Sequence, residues 1–527
     1  MWRLLIVFLF VSSFYSHAQR IASPKPKLVV FILVDELSTD QLIAFRDKFS
    51  DDGFNRIISG GSFYRHASFP AGSVYAGSSL STFYSGSYAA THGVISDKWY
   101  DRLRSIEVHA DGLETDSAYP SAKNMLASTL VDELKWMYNG ASKVTSIGFD
   151  KDFLIWTGGH SPDYLYNVNF ATGHFQLNAD TAVVAMPEWV EDFNGKNLLD
   201  VYCERQWGPK SDLNEYHQLK YYSKELPEGH SFLYSLKKDK SDTPYNAVLR
   251  SPYGNKLVRD FAVAHVINED FGADDVTDIL TLQFTARSAM RKSASAFEAE
   301  TEDMLIRLDE EIADLIRILD EEVGMENTLI VTSAIGAPVR SLEENQRGQL
   351  SSGLFNGKKA ASLLNLYLMA IYGQGKWVKA YHDGQVYLNH ELLEQSKVPA
   401  QNILEQSAKF LMQVEGIAYA MPATELMAST SDLAAMQSLK LNYHPKRSGD
   451  ILIRLQPGWN ELLPDNSTVN RHWTDARLPL VFYGWKVDRQ DVRKPVSMAD
   501  VAPTISSFLE IPFPNACEGE PLEDLLP

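Results

Sequence analysis

Residues 27–35 read Lys-Leu-Val-Val-Phe-Ile-Leu-Val-Asp, an unbroken apolar run from Leu28 to Val34 that ends in the carboxylate of Asp35. A run of this kind is typical of a strand that is buried on both faces, as in a parallel sheet covered by helices. In α/β sheets, functional groups gather at the carboxyl ends of the strands. Asp35 is therefore the first candidate site residue.

Further strand and helix patterns alternate along the chain. Apolar strand patterns occur at Val144–Phe149, Ile279–Phe284 and Thr328–Thr332, and helical patterns occur at 39–49, 121–138 and 295–323. In the second helical pattern, Leu126, Leu130 and Leu134 form one stripe. This alternation predicts an α/β fold with a mostly parallel sheet.

Two stretches with weaker periodicity interrupt this pattern. Residues 158–275 are rich in Tyr, Trp, Asn and Pro, and residues 377–442 form a shorter interruption. We interpret the first as an insertion or cap and the second as a smaller insertion. The aromatic-rich segment fits irregular packing against the core as well as it fits a binding surface. The core then consists of three parts: 25–157, 276–376 and 443–527.

The first residues have the features of an export signal. Arg3 precedes an apolar run from Leu4 to Phe14, and Ser16-His17-Ala18 is a small-x-small cleavage site. The run is too short for a typical membrane-spanning helix, which disfavours an uncleaved anchor. We predict a signal peptide at 1–18 and an exported, periplasmic or extracellular protein with no membrane span in the mature chain.

Composition excludes some functions. The chain has 49 Lys and Arg against 68 Asp and Glu, a net charge of −19. So acidic a surface repels a phosphate backbone, and we expect no nucleic-acid partner. Cys203 and Cys517 are too few for a cysteine-based zinc site, and whether they pair in a disulfide is open.

Several motifs spread over the whole chain carry a family resemblance. They are Val34-Asp35-Glu36, Ser85-Gly86, His92-Gly93-Val94, Trp99-Tyr100-Asp101, Gly159-His160, Pro187-Glu188-Trp189-Val190, Ser448-Gly449-Asp450, Pro457-Gly458-Trp459, Leu478–Gly484 and Ala499–Thr504. With them the chain resembles the alkaline phosphatase superfamily, in its exported bacterial branch near the nucleotide pyrophosphatase/phosphodiesterase enzymes. The resemblance implies a three-layer α/β sandwich: a mostly parallel sheet, helices on both faces and inserted cap segments.

The resemblance also implies a site with two zinc ions and six protein ligands, which catalyses phosphoryl transfer. Only Asp35 retains a family ligand. At two of the other five ligand positions this chain has a cation, Lys292 or Arg477, and a cation opposes metal binding. The five positions without a family ligand are Ser288, Lys292, Ala334, Ile335 and Arg477.

The nucleophile and the phosphate-binding positions are altered as well. Pro70-Ala71-Gly72-Ser73 matches the family's nucleophile pattern at Ser73, whereas counting back from His92-Gly93 without a gap places Ala76 there. Both alignments remain open. The family's phosphate-contacting Asn and its Lys-x-Arg pair correspond to three carboxylates, which repel phosphate. These are Asp97, Asp150 and Asp152.

Three hypotheses follow. The first is a pseudophosphatase without cofactor that binds a ligand, or a protein or glycan partner in the cell envelope. The second is an active phosphomonoesterase or phosphodiesterase that uses Ser73 and two zinc ions in a rearranged site. The third, a metal-free catalyst, lacks any convergent set of residues. Other candidate donors for the second hypothesis are Glu36, Asp40, Asp97, Asp101 and His92.

An electrostatic expectation accompanies the first hypothesis. Lys292 or Arg477 would pair with Asp35 and lower the pKa of its carboxyl group. The substitution Asp35→Asn would then destabilise the fold, because it would leave the cations without their partner. His92 and His160 fall in family motifs but not at metal positions, and we expect both to be structural.

Overall fold

The computed structural model describes residues 24–72, 75–113, 120–178, 185–217, 232–287, 299–336, 351–463, 468–469 and 477–526. The predicted signal peptide at 1–18 lies outside the described residues, as do three predicted site positions: Ser73, Ser288 and Lys292.

The strands belong to one large sheet and four smaller ones. In chain order they are β1 (Leu28–Asp35), β2 (Ser62–Ser68), β3 (Lys98–Asp101), β4 (Ile106–His109), β5 (Val144–Gly148), β6 (Tyr164–Val168), β7 (Phe175–Leu177), β8 (Gln206–Trp207), β9 (Tyr234–Ser235), β10 (Asp278–Thr285), β11 (Thr328–Ala334), β12 (Gly353–Phe355), β13 (Val378–His382), β14 (Gln385–Leu388), β15 (Ile417–Pro422), β16 (Ile451–Leu455), β17 (Trp459–Leu462), β18 (Thr468–Val469), β19 (Leu478–Gly484), β20 (Gln490–Val492) and β21 (Val496–Ser497).

The α-helices are mostly short. In chain order they are α1 (Thr39–Ala44), α2 (Phe54–Gly60), α3 (Ala76–Ser85), α4 (Ala89–His92), α5 (Leu130–Met137), α6 (Lys151–Gly158), α7 (Glu188–Gly195), α8 (Leu198–Cys203), α9 (Asn246–Leu249), α10 (Pro252–Asn268), α11 (Ala299–Glu322), α12 (Gly357–Tyr372), α13 (His390–Gln395), α14 (Ala400–Leu411), α15 (Ala423–Ala428), α16 (Ala434–Asn442) and α17 (Val501–Leu509). None of the described helices is both long and apolar enough to span a membrane.

The large sheet confirms the predicted α/β class. Its ten described strands run β20-β2-β19-β11-β1-β10-β5-β6-β7, with β21 beside β2. Six of its described pairings are parallel and three are antiparallel, so the sheet is mostly parallel, as predicted. β1 lies in the interior between β10 and β11, and its residues from Leu28 to Val34 are fully buried. The apolar run therefore identifies the central strand.

Two groups of helices cover this sheet. One comprises α3, α5, α6 and α17, which pack on one another; the other comprises α2, α8, α10 and α11. This arrangement is the expected three-layer sandwich. A second apolar core lies in residues 355–459, where α12 and α14 pack with the antiparallel sheet β13-β14-β16-β15. The proposed boundaries of the two insertions remain predictions; the large sheet extends into 158–275 through β6 and β7.

Two predicted helices are shorter than expected. The pattern at 121–138 is helical as α5 only from Leu130, and Leu126 is 54% exposed. The reason is a capping box: the side chain of Thr129 accepts the backbone N–H of Asp132, and the carboxylate of Asp132 accepts the N–H of Thr129. The helix predicted at 39–49 ends as α1 at Ala44 and continues as a short 3₁₀ turn over Arg46–Lys48.

The cysteines do not pair. Cys203 is buried, Cys517 is half-buried, and both are free thiols. The disulfide that the sequence left open is therefore absent from this structure.

Candidate functional site

The strand register gathers the described site positions at one edge of the sheet. Asp35 of β1 lies opposite Thr285 of β10, and Val34 lies opposite Ala334 of β11. Arg477 comes directly before β19, which pairs with β11, and its carbonyl accepts the N–H of Thr39 at 3.0 Å. Asp35, Ala334, Ile335 and Arg477 therefore share the carboxyl edge of β1 and β11.

The turn after β1 presents two carboxylates. Glu36 follows Asp35 with φ 56°, a left-handed conformation that strains a residue other than glycine by about 1 kcal/mol. The Nη1 atom of Arg287 lies 2.6 Å from Oε1 of Glu36 and forms an ion pair with it. Ser38 then caps α1 through a capping box with Gln41. The capped helix and the ion pair thus fix the strained conformation of Glu36.

Side-chain amides position the neighbouring strand ends. Asn255 of α10 donates to the carbonyl of Thr285 at 2.9 Å and accepts its N–H at 3.0 Å. The carbonyl of Asp35 accepts the N–H of Ala286 at 3.0 Å. These bonds hold the end of β10 against the end of β1 and direct the chain toward Arg287.

A second amide positions Asp150. The Oε1 atom of Gln283 accepts the N–H groups of Phe149 and Asp150 at 2.9 and 3.0 Å. This approach requires a glycine at position 148, because a Cβ atom there would lie 2.6 Å from Gln283. Asp150 also caps α6 by accepting the N–H of Asp152 at 2.9 Å. Its carboxylate is therefore fixed beside the edge.

Some of these residues line a cavity of about 640 Å³. Seven of its lining residues come from the strand ends and the loops that follow them, and five come from the aromatic-rich segment 158–275. The first group is Asp35, Glu36, Phe149, Asp150, Gln283, Thr285 and Arg287; the second is Phe170, Thr243, Asn246, Leu249 and Arg250. The cavity thus forms between the sheet edge and the cap segment.

The electrostatics of Asp35 contradict the expected pairing with Arg477. Burial first, and then the negative charges of Glu36 and Asp150, raise the pKa of the Asp35 carboxyl group to about 7. Arg287 opposes this rise only in part, and burial also raises the pKa of Glu36. Arg477 pairs instead with Asp40 at 2.8 Å, and Lys292 lies outside the described residues. The predicted lowering of the Asp35 pKa by Arg477 is therefore wrong, and a pairing with Lys292 stays a prediction.

The other predicted substrate positions extend this acidic region. The pKa of Asp152 is raised to about 6, mainly by burial and further by the charges of Asp150, Asp111 and Asp97. Asp97 is exposed. Ala76, the alternative nucleophile position, is the first residue of α3. Asp97, Asp150 and Asp152 thus belong to one acidic region. Asp97 and Asp152 also act on Tyr75, the residue directly before this helix.

The described donor set does not fit two zinc ions. Ala334 and Ile335 are 1% and 5% exposed and offer only hydrocarbon at the strand end beside Asp35. Among the described residues, no group of three or more His, Cys, Asp or Glu side chains is placed to hold a metal ion. Zinc requires at least three such donors in a tetrahedral arrangement. Asp35 therefore lacks co-ligands in the described part of the chain.

Most of the alternative donors are engaged elsewhere. Glu36 pairs with Arg287, and Asp40 pairs with Arg477. Two more are bound within their own loops or helices: Asp101 accepts backbone N–H groups of its turn and pairs with Arg104, and His92 is fully buried.

Both histidines in the family motifs have structural partners. The Nδ1 atom of His92 accepts the N–H of Val94 at 3.1 Å, and its Nε2 atom lies 3.2 Å from Oγ1 of Thr82. Burial lowers the pKa of His92 to about 3, so the ring is neutral. The Nδ1 atom of His160 lies 2.8 Å from Oδ2 of Asp132, and this hydrogen bond raises the pKa of His160.

Sequence reasoning missed Arg287, Gln283 and Asn255. Arg287 could have been found, because it follows the predicted strand 279–284 by three residues and the carboxyl-end rule applies to that strand as well. No sequence pattern points to Gln283 or Asn255, because the backbone groups that their amides bond are distant in the sequence.

Comparisons with known proteins agree with the fold. The model of the family described as type I phosphodiesterase / nucleotide pyrophosphatase matches residues 29–476. A Myroides odoratus protein named calcium-transporting ATPase is 29% identical over 526 residues, 95% of each chain. Alkaline phosphatase PafA of Elizabethkingia meningoseptica is 27% identical over 541 residues, 98% of each chain. A crystal structure of wild-type PafA matches with a TM-score of 0.84 at 25% identity, covering 96% of this chain and 100% of that chain.

Proposed function

The chain belongs to the type I phosphodiesterase / nucleotide pyrophosphatase family, and we propose that it is an alkaline phosphatase-like member that has lost catalysis and acts by binding. Its binding site is the cavity between the sheet edge and segment 158–275.

One observation carries this proposal: the end of β11, beside Asp35, presents the buried hydrocarbon side chains of Ala334 and Ile335. A metal ion there would lack two ligands, and most of the candidate substitutes are already paired with cations or backbone groups. A serine hydroxyl group, such as that of Ser73, is a weak nucleophile unless a metal or a base activates it. The same edge retains a cavity of about 640 Å³, which is large enough for a ligand.

We further propose that the protein functions after export, in the periplasm or outside the cell. The support is the sequence of residues 1–18. A fractionation experiment that compares the full chain with a chain lacking residues 1–18 tests this point. Only the full chain should leave the cytoplasm.

The experiment for the main proposal measures metal and turnover on the same preparation of the mature protein. Elemental analysis should find well under one zinc per chain after incubation with zinc. Hydrolysis of p-nitrophenyl phosphate and bis-p-nitrophenyl phosphate should not exceed that of a Ser73→Ala variant. PafA, purified in the same way, serves as the positive control. Two tightly bound zinc ions, with turnover that Ser73→Ala abolishes, would contradict the proposal.

The second candidate is an active, zinc-dependent phosphomonoesterase or phosphodiesterase that uses Ser73. The observation that favours it is the full-length similarity to proteins named alkaline phosphatases. It requires donors from residues outside the described part of the chain. The zinc and turnover measurements above separate the two candidates.

A further inference from the structure

The cavity has a composition that selects for positive charge. Three of its lining residues are carboxylates, Asp35, Glu36 and Asp150, and two are arginines, Arg250 and Arg287. From this lining we propose that the cavity binds a small organic cation, in which primary amino groups are joined by a hydrocarbon chain. This inference rests on the proposed function, because metal ions at the same edge would neutralise the carboxylates.

Two acidic side chains of the lining, Asp35 and Asp150, are candidates to bind such a cation. Among the residues that the structure describes, Glu36 pairs with Arg287, whereas Asp35 and Asp150 have no ion-pair partner. Asp150 accepts one backbone N–H, from Asp152, which leaves further lone pairs for a donor. An ammonium group has three N–H donors and no acceptor, so it can donate to an acidic side chain that has free lone pairs.

The walls of the cavity suit a hydrocarbon chain. Phe149, Phe170 and Leu249 line it beside the carboxylates. Methylene groups that pack on these side chains are removed from water, which favours binding. The lining therefore offers both acidic groups and apolar surface.

The lining already holds cations at two points. The guanidinium group of Arg287 pairs with Glu36, and that of Arg250 lies 6.0 Å from the ring centroid of Phe170 while donating to Asn246 at 2.8 Å. A carboxylate and an aromatic face are the two groups that stabilise an organic cation. Both kinds of contact are thus present in the protein's own structure before a ligand enters.

An anionic ligand fits less well. One of the two arginines is paired with Glu36, and Asp152, which lies near Asp97, adds negative charge near Asp150. The chain as a whole has a net charge of −19. A phosphate group would meet this field, whereas an amine is attracted by it.

The test is a calorimetric titration of the mature protein with spermidine, and separately with inorganic phosphate. We expect spermidine to bind in the micromolar range and phosphate not to bind. In Asp150→Asn the Kd for spermidine should rise roughly tenfold, the effect of one charge contact of about 1.4 kcal/mol. Asparagine keeps the helix cap of α6, so this variant should fold.

A matched control carries the same charge change at the opposite edge of the sheet, before the strand that pairs with β5. Asp275 lies before β10, is 95% exposed and pairs with Lys27. Asp275→Asn should leave the Kd for spermidine within about twofold of wild type. A second cavity variant, Phe170→Leu, should also weaken binding, because it removes the aromatic face.

The outcomes separate this inference from the proposed function. If spermidine fails to bind at millimolar concentration, or if phosphate binds instead and Arg250→Ala abolishes that binding, the inference is overturned. An equal effect of Asp150→Asn and Asp275→Asn would overturn it too. Ester turnover on the same preparations decides the proposed function independently, since spermidine binding and loss of catalysis are measured by different signals.

Discussion

The Nη1 atom of Arg287 lies 2.6 Å from Oε1 of Glu36, a residue in a left-handed conformation directly after Asp35. This ion pair joins the end of β10 to the end of β1 at the point where the family's chemistry takes place. It supplies a fixed cation to an edge that otherwise carries Asp35, Glu36 and Asp150. The balance of charge at the edge therefore depends on a side chain of the protein itself.

Removing Arg287 should destabilise the fold. In Arg287→Ala, Glu36 loses its partner and adds its uncompensated charge to that of Asp35, so the pKa of both groups rises further. The Arg287 side chain is 36% exposed, so solvent screens the pair, and we expect a loss of about 1–2 kcal/mol at pH 8. Urea unfolding measures it. Arg104→Ala, which removes a more exposed pair with Asp101, should change stability by less than about 0.5 kcal/mol. Equal losses in the two variants would show that the Arg287 pair has no special role.

Asp35→Asn should stabilise the protein, the opposite of the sequence-based expectation. The pKa of Asp35 is raised to about 7 in the folded state, against about 3.9 in the unfolded chain. The folded state therefore holds a proton that the unfolded state releases, and the ionised carboxylate opposes folding as pH rises toward and above 7. We expect a gain of roughly 1–3 kcal/mol at pH 8.5.

The same measurement at low pH provides the control for Asp35. Near pH 4 the carboxyl group is protonated in the folded state, and Asp35→Asn should change the free energy of unfolding little. A loss of stability in the variant at pH 8.5 would indicate that a cation outside the described residues, such as Lys292, pairs with Asp35 after all.

The sequence predicted the scaffold better than the chemistry of the site. The apolar run of β1 is a local signal, and it identified both the central strand and the edge that carries the site. The pair of Arg287 and Glu36 joins residues 251 positions apart, so no local pattern records it. The helix pattern at 121–138 was misleading for a local reason, because the capping box of Thr129 and Asp132 begins α5 late and leaves Leu126 exposed.

His265 should make the fold sensitive to acid. Its ring is fully buried, and neither nitrogen has a hydrogen-bond partner in the described structure. The rings of Tyr164, Tyr166, Trp189 and Phe271 surround it, and burial, with the nearby charge of Lys143, lowers its pKa to about 3. The unfolded chain binds a proton below about pH 6.5, so stability should fall by up to about 1.4 kcal/mol per pH unit from pH 6 to 4.

The substitution His265→Phe isolates this effect. Phenylalanine fits an aromatic surrounding and cannot bind a proton, so the variant should lose less stability between pH 6.5 and 4 than wild type. His160→Gln is the control of opposite sign: the pKa of His160 is raised by Asp132, and its bond stabilises the fold at low pH and weakens as pH rises through the folded pKa. Identical pH profiles for wild type and His265→Phe would show that His265 is not buried as a neutral ring.

Restoring donors at the end of β11 should restore metal binding. In the double variant Ala334→Asp, Ile335→His, a carboxylate and an imidazole stand beside Asp35, because β11 pairs in parallel register with β1 up to Val34 and Ala334. Three donors are the set that holds zinc in sites with an open position. We expect close to one zinc per chain by elemental analysis, and a melting temperature that rises when zinc is added. The isosteric control Ala334→Asn, Ile335→Leu should bind no zinc. Both positions are buried, so each variant is first checked for folding by circular dichroism. A folded double variant that takes up no more zinc than its control would mean that the edge of β1 and β11 is not where the metal site was lost.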